Sequence, residues 1–266
     1  MASSTENNMS NASSIGTFSN VAGGQSLRGQ LEGKTVVIVG GTSGIGLAAA
    51  TQAKAAGAHV IVVGRNAAST EEVATKHGFD GWRAADVTDG VALEAALRDI
   101  ARVDHLVLLA GTFVAGKVRE AEVDYLRRAF DERMWSAVHA VRAVGDRLSQ
   151  DGSITLISGA LADRPNANGT AVLAAATAPM EPFARGLALE LAPVRVNTLS
   201  PGPIDTPIFS KALGANRDAV VESMRNSLPL KRLGTADEAG ASVLFLMTNG
   251  WMNGATLNVD GGSRLV

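Results

Sequence analysis

Glycines at 40, 41, 44 and 46 crowd the stretch VVIVGGTSGIGLAAA, where an apolar run stops and a helix-forming run starts. Glycine allows a tight turn and a close approach of backbone to ligand, and the N–H groups that open a helix favour a phosphate. With a strand before it, a helix after it and a second strand end ~20 residues on, the loop reads as a dinucleotide cradle made of Gly40, Thr42, Ser43, Gly44, Ile45 and Gly46. The second strand ends in Gly64-Arg65-Asn66. An acidic residue there would bind a ribose 2′-hydroxyl and repel a 2′-phosphate, whereas a guanidinium suits the phosphate. Arg65 and Asn66 therefore predict NADP(H) in preference to NAD(H); the other reading of Arg65 is a solvated loop residue, and Thr42-Ser43 adds no second basic group.

Such a loop needs a particular scaffold. The runs TVVIVG (35–40), HVIVVG (59–64), HLVLLAG (105–111), SITLISG (153–159) and VRVNTLS (194–200) are continuously apolar, as in strands covered on both faces. Helix-length segments lie between them, at Gly46–Ala56, Ser69–Lys76, Val91–Ala101 and Ala121–Leu148. Alternation of this kind implies right-handed crossovers and a doubly wound parallel α/β sheet, Rossmann-like, with the ligand at the carboxyl ends of the strands. Nothing divides residues 31–266 into two domains, and residues 1–30, rich in Ser, Asn and Gly, are expected to be a flexible extension rather than a secretory signal.

The bulk properties exclude several classes. The chain has 266 residues, 46% hydrophobic content and a formal net charge of −2, so a basic excess for nucleic acid is absent. There is no cysteine, which removes disulfides and thiolate chemistry. No run approaches the ~18 apolar residues of a membrane span, and a cytoplasmic protein is expected. His59, His77, His105 and His139 match neither a metal set nor a Ser-His-Asp arrangement, so no metal is expected.

The glycine spacing G-x-x-x-G-x-G, from Gly40 through Gly44 to Gly46, resembles that of the short-chain dehydrogenase/reductase family, and further motifs extend the resemblance over 33–266. ADVTD (85–89) is similar to the adenine-contacting segment, through Asp86 and Val87. LAG (109–111) is similar to the N-A-G turn, which assigns Ala110, Gly111 and the following Thr112 to the cofactor. NTLSPGPIDTP (197–207) resembles the stretch that holds the nicotinamide end, here Pro201, Gly202, Ile204 and Thr206. NGATLNVDGG (253–262) matches the last strand.

The resemblance also implies a catalytic Asn, Ser, Tyr and Lys, and here the chain departs from it. Its single tyrosine, Tyr125, falls on an earlier helix, and no lysine occurs between Lys117 and Lys211. Aligned from ARGLALELAP (184–193), the tyrosine position carries Leu173 and the lysine position Thr177; an alternative gap gives Ala171 and Ala175. Ser158 matches the family's serine, and Arg133 stands where the asparagine belongs. A guanidinium cannot relay protons, but it can anchor an anion or stabilise developing negative charge; the competing reading is an ion-pair or interface arginine near Asp131 and Glu132. Asp163, Arg164, Asn166 and Asn168 are the nearest polar replacements. In TAVLAAATAPMEPFARGLALE, Pro179 is expected near a first turn and Pro182 inside the helix, at a cost of ~3 kcal/mol or more, giving a bent or late-starting helix from about Met180 to Leu191 preceded by a short separate turn over 171–178.

Three functions follow as alternatives. One is a noncanonical NADP(H)-dependent oxidoreductase working on a small or medium carbonyl, imine or activated alkene. Another is a nucleotide-binding pseudoenzyme, and the third a lyase or isomerase on the same pocket. The resemblance further implies a homodimer or homotetramer, with the Ala121–Leu148 segment a candidate interface, and a small-molecule substrate.

Overall fold

The computed structural model describes residues 29–266, so most of the expected 1–30 extension lies outside the described residues. The chain runs through β1 (Thr35–Val39), α1 (Gly44–Ala55), β2 (His59–Gly64), α2 (Ala67–His77), β3 (Gly81–Ala84), α3 (Gly90–Leu97), β4 (Val103–Leu108) and α4 (Val123–Phe130). A π-helical turn (Asp131–Trp135), α5 (Ser136–Val144), β5 (Leu148–Ile157), α6 (Ala171–Thr177), α7 (Met180–Glu190) and β6 (Arg195–Pro201) follow. The chain ends with β7 (Ile204–Asp205), α8 (Pro207–Leu213), α9 (Arg217–Ser227), β8 (Gly234–Thr235), α10 (Ala236–Thr248) and β9 (Thr256–Val259). Seven strands pair in parallel in the order β3-β2-β1-β4-β5-β6-β9, and β7 and β8 make a separate short ladder. Strand order reverses between β1 and β4, which places the crevice of a doubly wound sheet at the end of β1.

Continuous apolar strands have a direct cause in this architecture. Val36 and Ile38 of β1 face a layer containing Ala49, Ala53, Val243 and Leu246, from α1 and α10. Val37 and Val39 face the opposite layer, with Leu93, Leu97, Ala140 and Ala184, from α3, α5 and α7. Both faces of the strand are thus buried, and each such side chain contributes about 1.5–3 kcal/mol. The α1 and α10 backbones come close because Gly240 has no side chain; a Cβ there would lie 2.9 Å from the Ala48 Cβ. No helix among the described residues is long and apolar enough to cross a membrane.

Several boundaries differ from the sequence expectation. The segment expected as one helix over Ala121–Leu148 is α4, a π turn and α5, and it stops at Val144 because Gly145 adopts a positive φ of 50°. Residue 148 already belongs to β5, which begins five residues before the expected 153. Likewise α3 ends at Leu97 rather than Ala101. The break and the start of the second helix at Met180 fall where expected, but the expected turn over 171–178 is itself a helix, α6 (Ala171–Thr177), and Pro182 is not interior to α7. Pro182 then falls in the first turn of α7, where a missing N–H costs little.

Candidate functional site

A groove of about 250 Å³ opens at the strand-order reversal. Gly40, Thr42, Ser43, Gly44, Ile45 and Gly46 line it, together with Arg65, Asp86, Val87, Ala110, Gly111, Thr112 and Thr206. Gly40 has φ of 89°, and a Cβ on it would stand 2.7 Å from the Ala110 backbone nitrogen; a Cβ on Gly46 would overlap the Gly40 carbonyl oxygen. Only glycine lets the two strand ends meet this closely. Ser43 opens α1 without a side-chain cap, so the first-turn N–H groups are left to the groove. Asp86 is held ready by Thr88, whose N–H and hydroxyl both donate to its Oδ1, at 3.0 and 2.8 Å; these bonds lower its pKa.

Asn66 is not among the residues lining the groove. Its side chain caps α2, accepting from the Ser69 N–H at 3.1 Å. Pro201, Gly202 and Ile204 also stand outside the groove, but they line the adjoining cavity.

The π turn explains how the groove's far wall is held. Two consecutive residues of the turn reach the 111–112 loop. Glu132, buried, accepts from the Thr112 N–H at 2.6 Å and hydroxyl at 2.7 Å, and from Arg128 at 2.7 Å. Arg133 donates to the Thr112 carbonyl at 2.8 Å and, more weakly, to the Ala129 carbonyl at 3.4 Å. Glu132 therefore pairs with Arg128, and among the described residues no carboxylate lies within ion-pair distance of Arg133. The ion-pair reading of Arg133 is not what the fold builds. Burial pushes its guanidinium pKa down, opposed in part by Glu132. Glu132 was missed by the sequence reading; a π turn has no sequence signature, although such turns gather at functional sites.

A second cavity, about 340 Å³, adjoins the groove through the shared walls Thr206 and Ile208. Ser158, one residue beyond β5, and Arg133 both line it. Leu173 and Thr177, one turn apart on α6, line it as well, and among the described residues no tyrosine or lysine does. Tyr125 points elsewhere, to the Ala115 carbonyl at 3.4 Å. The Ser158 hydroxyl has two acceptors for its one proton: the Thr177 carbonyl at 3.2 Å and Glu181 Oε1 at 3.1 Å. The break between α6 and α7 makes this possible, because Thr177 ends its helix and exposes a carbonyl. Glu181 is a second residue the sequence reading missed. Its signal was there, four residues after Thr177 on the face that carries Leu173, but the proline on either side suggested only a disrupted helix.

The loop after β5 divides its polar residues. Arg164 and Asn166 line the cavity, whereas Asp163 is bound to Arg264 at 2.6 Å and the Asn168 N–H donates to Asn166 Oδ1 at 2.9 Å. From the other side, Ile208 and Phe209 of α8 and Met224 of α9 cover the cavity.

Away from the site, His105 is buried against the Ser153 hydroxyl at 2.8 Å, and burial lowers its pKa to about 4, assisted by Arg195. Among the described residues no group of three or more His, Asp or Glu could hold a metal ion.

These features coincide with those of known proteins. Residues 39–264 match the family model described as enoyl-(acyl carrier protein) reductase. The chain is 32% identical to the "Short-chain dehydrogenase/reductase ucsE" of Acremonium sp, over 89% of this chain and 97% of that one. It is 30% identical to the "Cyclic-di-GMP-binding biofilm dispersal mediator protein" of Escherichia coli K12, over 88% and 98%. A solved small-chain dehydrogenase in complex with NADPH superposes with a TM-score of 0.76 at 34% identity, over 88% of this chain and all of that one. A glycine-lined crevice at the strand reversal, an adjoining cavity headed by a serine and likeness along nearly the whole length agree: the chain belongs to the short-chain dehydrogenase/reductase family of oxidoreductases.

Proposed function

We propose that the protein is an NADP(H)-dependent oxidoreductase that moves a hydride to or from a small or medium carbonyl, imine or activated alkene, without the family's Tyr/Lys acid. The observation that carries this reading is the meeting of groove and cavity at Thr206 and Ile208, with Ser158 and Arg133 on the cavity walls. The residues fit the nucleotide: Gly40 and Gly46 leave a cradle that a Cβ would fill, and Arg65 stands at the groove wall past β2 to meet a 2′-phosphate. Bound NADP(H) would supply or accept the hydride.

The chain's own groups then have distinct tasks. Ser158 hydrogen-bonds the substrate oxygen on which negative charge develops, and Arg133, beside it in the cavity, anchors the substrate electrostatically. Glu181, in contact with the Ser158 hydroxyl, exchanges a proton with it: as a carboxylic acid it resupplies the serine in reduction, and as a carboxylate it drains it in oxidation. Leu173 and Thr177 take the places of Tyr and Lys and leave that wall apolar. The protein works in this reading as a cytoplasmic homodimer or homotetramer, through the α4–α5 surface, where Val123 and Trp135 are 69% and 54% exposed.

Stopped-flow loss of NADPH absorbance across ketones, imines and enones tests the assignment; tight NADPH binding with no turnover of any class overturns it. A second reading, a nucleotide-binding pseudoenzyme, draws support from the cavity's lack of tyrosine and lysine and from a relative named for binding rather than chemistry. In that case Leu173→Tyr with Thr177→Lys creates ketone reduction that the parent lacks, and equal activity of the two sinks it.

A further inference from the structure

A cavity shows what it accepts by what it leaves unpaired. The walls here are mostly carbon, with Phe113, Leu161, Leu173, Ile204, Phe209 and Met224 among them. Among the described residues no Asp or Glu lines the cavity, and the two charged side chains that do are both arginines, Arg133 and Arg164. A guanidinium carries five N–H donors. Arg133 spends one on a good bond to the Thr112 carbonyl and one on a long bond to the Ala129 carbonyl, both neutral acceptors. The adjacent Glu132 offsets its charge only in part, since its two oxygens turn to Thr112 and Arg128 and make no ion pair with Arg133. Arg164, at the exposed rim, donates through Nε and Nη2 to the Arg264 carbonyl, at 3.2 and 3.0 Å, and among the described residues it too has no carboxylate partner.

A largely buried cation without a counter-ion is costly to fold around, and in a low-dielectric pocket the cost is offset only by an opposite charge. Among the described residues no carboxylate pairs with Arg133 to provide that charge. We propose that the substrate does: it is an amphiphilic acid, an apolar body carrying one anionic oxygen group, a carboxylate or comparably acidic enol, which Arg133 binds inside the cavity and Arg164 attracts at its rim. This names the substrate class of the oxidoreductase reading and rests on it. The anion would place the reacting carbon by a fixed charge-assisted bond, which the plain apolar wall left by Leu173 and Thr177 cannot do.

The test is calorimetric titration of the full-length protein, with and without NADP⁺, using octanoate and its neutral isostere octanamide. Octanoate should bind saturably and about ten- to a hundredfold more tightly than octanamide, the range for a hydrogen bond to a charged group. Arg133→Met should abolish the preference and Arg133→Lys should keep part of it. Arg133 also ties down the 112 loop, so circular dichroism establishes that each variant is folded. If Arg133→Met does not fold, Arg164→Gln at the rim, expected to lower the preference up to about fivefold, decides together with the wild-type comparison. Equal binding of the two probes, binding of neither, or a folded Arg133→Met with the wild-type preference overturns the proposal. Thermal stabilisation by NADPH, read on the same samples, reports the cofactor reading separately, so failure of one is distinguishable from failure of the other.

Discussion

The nucleotide groove and the cavity beside it are built by opposite means. In the groove, recognition rests on backbone: glycines at 40, 44 and 46 bring N–H groups and strand ends together, and side chains are secondary. The cavity instead presents side chains, a serine and two arginines with a carboxylate behind the serine, set in an apolar wall. Backbone geometry tolerates almost no substitution, since a Cβ at Gly40 or Gly46 collides with main chain. Side-chain chemistry can be exchanged residue by residue while the wall keeps its shape. The contrast accounts for a chain in which the family's cofactor loop is intact while the helix expected to carry its acid presents leucine and threonine.

If the two regions are separable, substitutions should split cleanly. Ser158→Ala should lower turnover by about 10²–10⁴-fold with NADPH affinity unchanged, as measured by single-turnover kinetics beside a binding titration; a parallel loss of affinity would break the separation. Glu181→Gln keeps a hydrogen-bonding partner for Ser158 but cannot exchange a proton with it, so turnover should fall about 10²-fold with NADPH affinity unchanged, read in the same two assays. Gly40→Ala should do the reverse, weakening NADPH about a hundredfold, roughly 3 kcal/mol, because a positive φ and a main-chain contact both oppose the methyl.

His105 lies outside both regions and should affect only stability. Its folded pKa of about 4 is below the ordinary value of 6.5, so the unfolded chain takes up the proton first. The stability it contributes, on the order of 3 kcal/mol, is complete above pH 6.5 and lost as the pH falls towards 4. His105→Asn should flatten the melting temperature across that window. Asp104 acts lower: burial opposes its ionisation, but Arg102 and the Thr35 N–H bring its pKa to about 2, so its contribution fades between pH 4 and 2. The smallest effect is expected at Arg65, where Arg65→Glu should cut the preference for NADPH over NADH about tenfold, in keeping with a single exposed phosphate contact.

Much of this was legible in the residues. The strands were, because both-face burial forces runs such as TVVIV to be wholly apolar, and so was the groove, because glycine spacing records backbone geometry directly. The break in the α6–α7 region was legible through Pro179 and Pro182. The division of the expected 121–148 helix was not: α4 and α5 share one amphipathic pattern, and a π turn differs from an α turn by a single residue of register. Asn66 was misplaced because capping and ligand binding ask for the same side chain at the same strand-to-helix turn.

By itself the sequence determined the sheet, the cofactor loop and the absence of a Tyr-x-x-x-Lys pair, since each is a matter of residue type at a fixed local spacing. Only the tertiary structure decided which carboxylate serves which cation. Asp131 and Glu132 adjoin Arg133 in sequence, yet Glu132 turns to Arg128 and Thr112, and Glu181, twenty-three residues from Ser158, is the group that meets it. Electrostatic partnership is set by distance and burial in space. The meeting of Glu181 with Ser158 across the helix break, and the π turn that leaves Arg133 without an ion-pair partner among the described residues, exist only once the chain has folded.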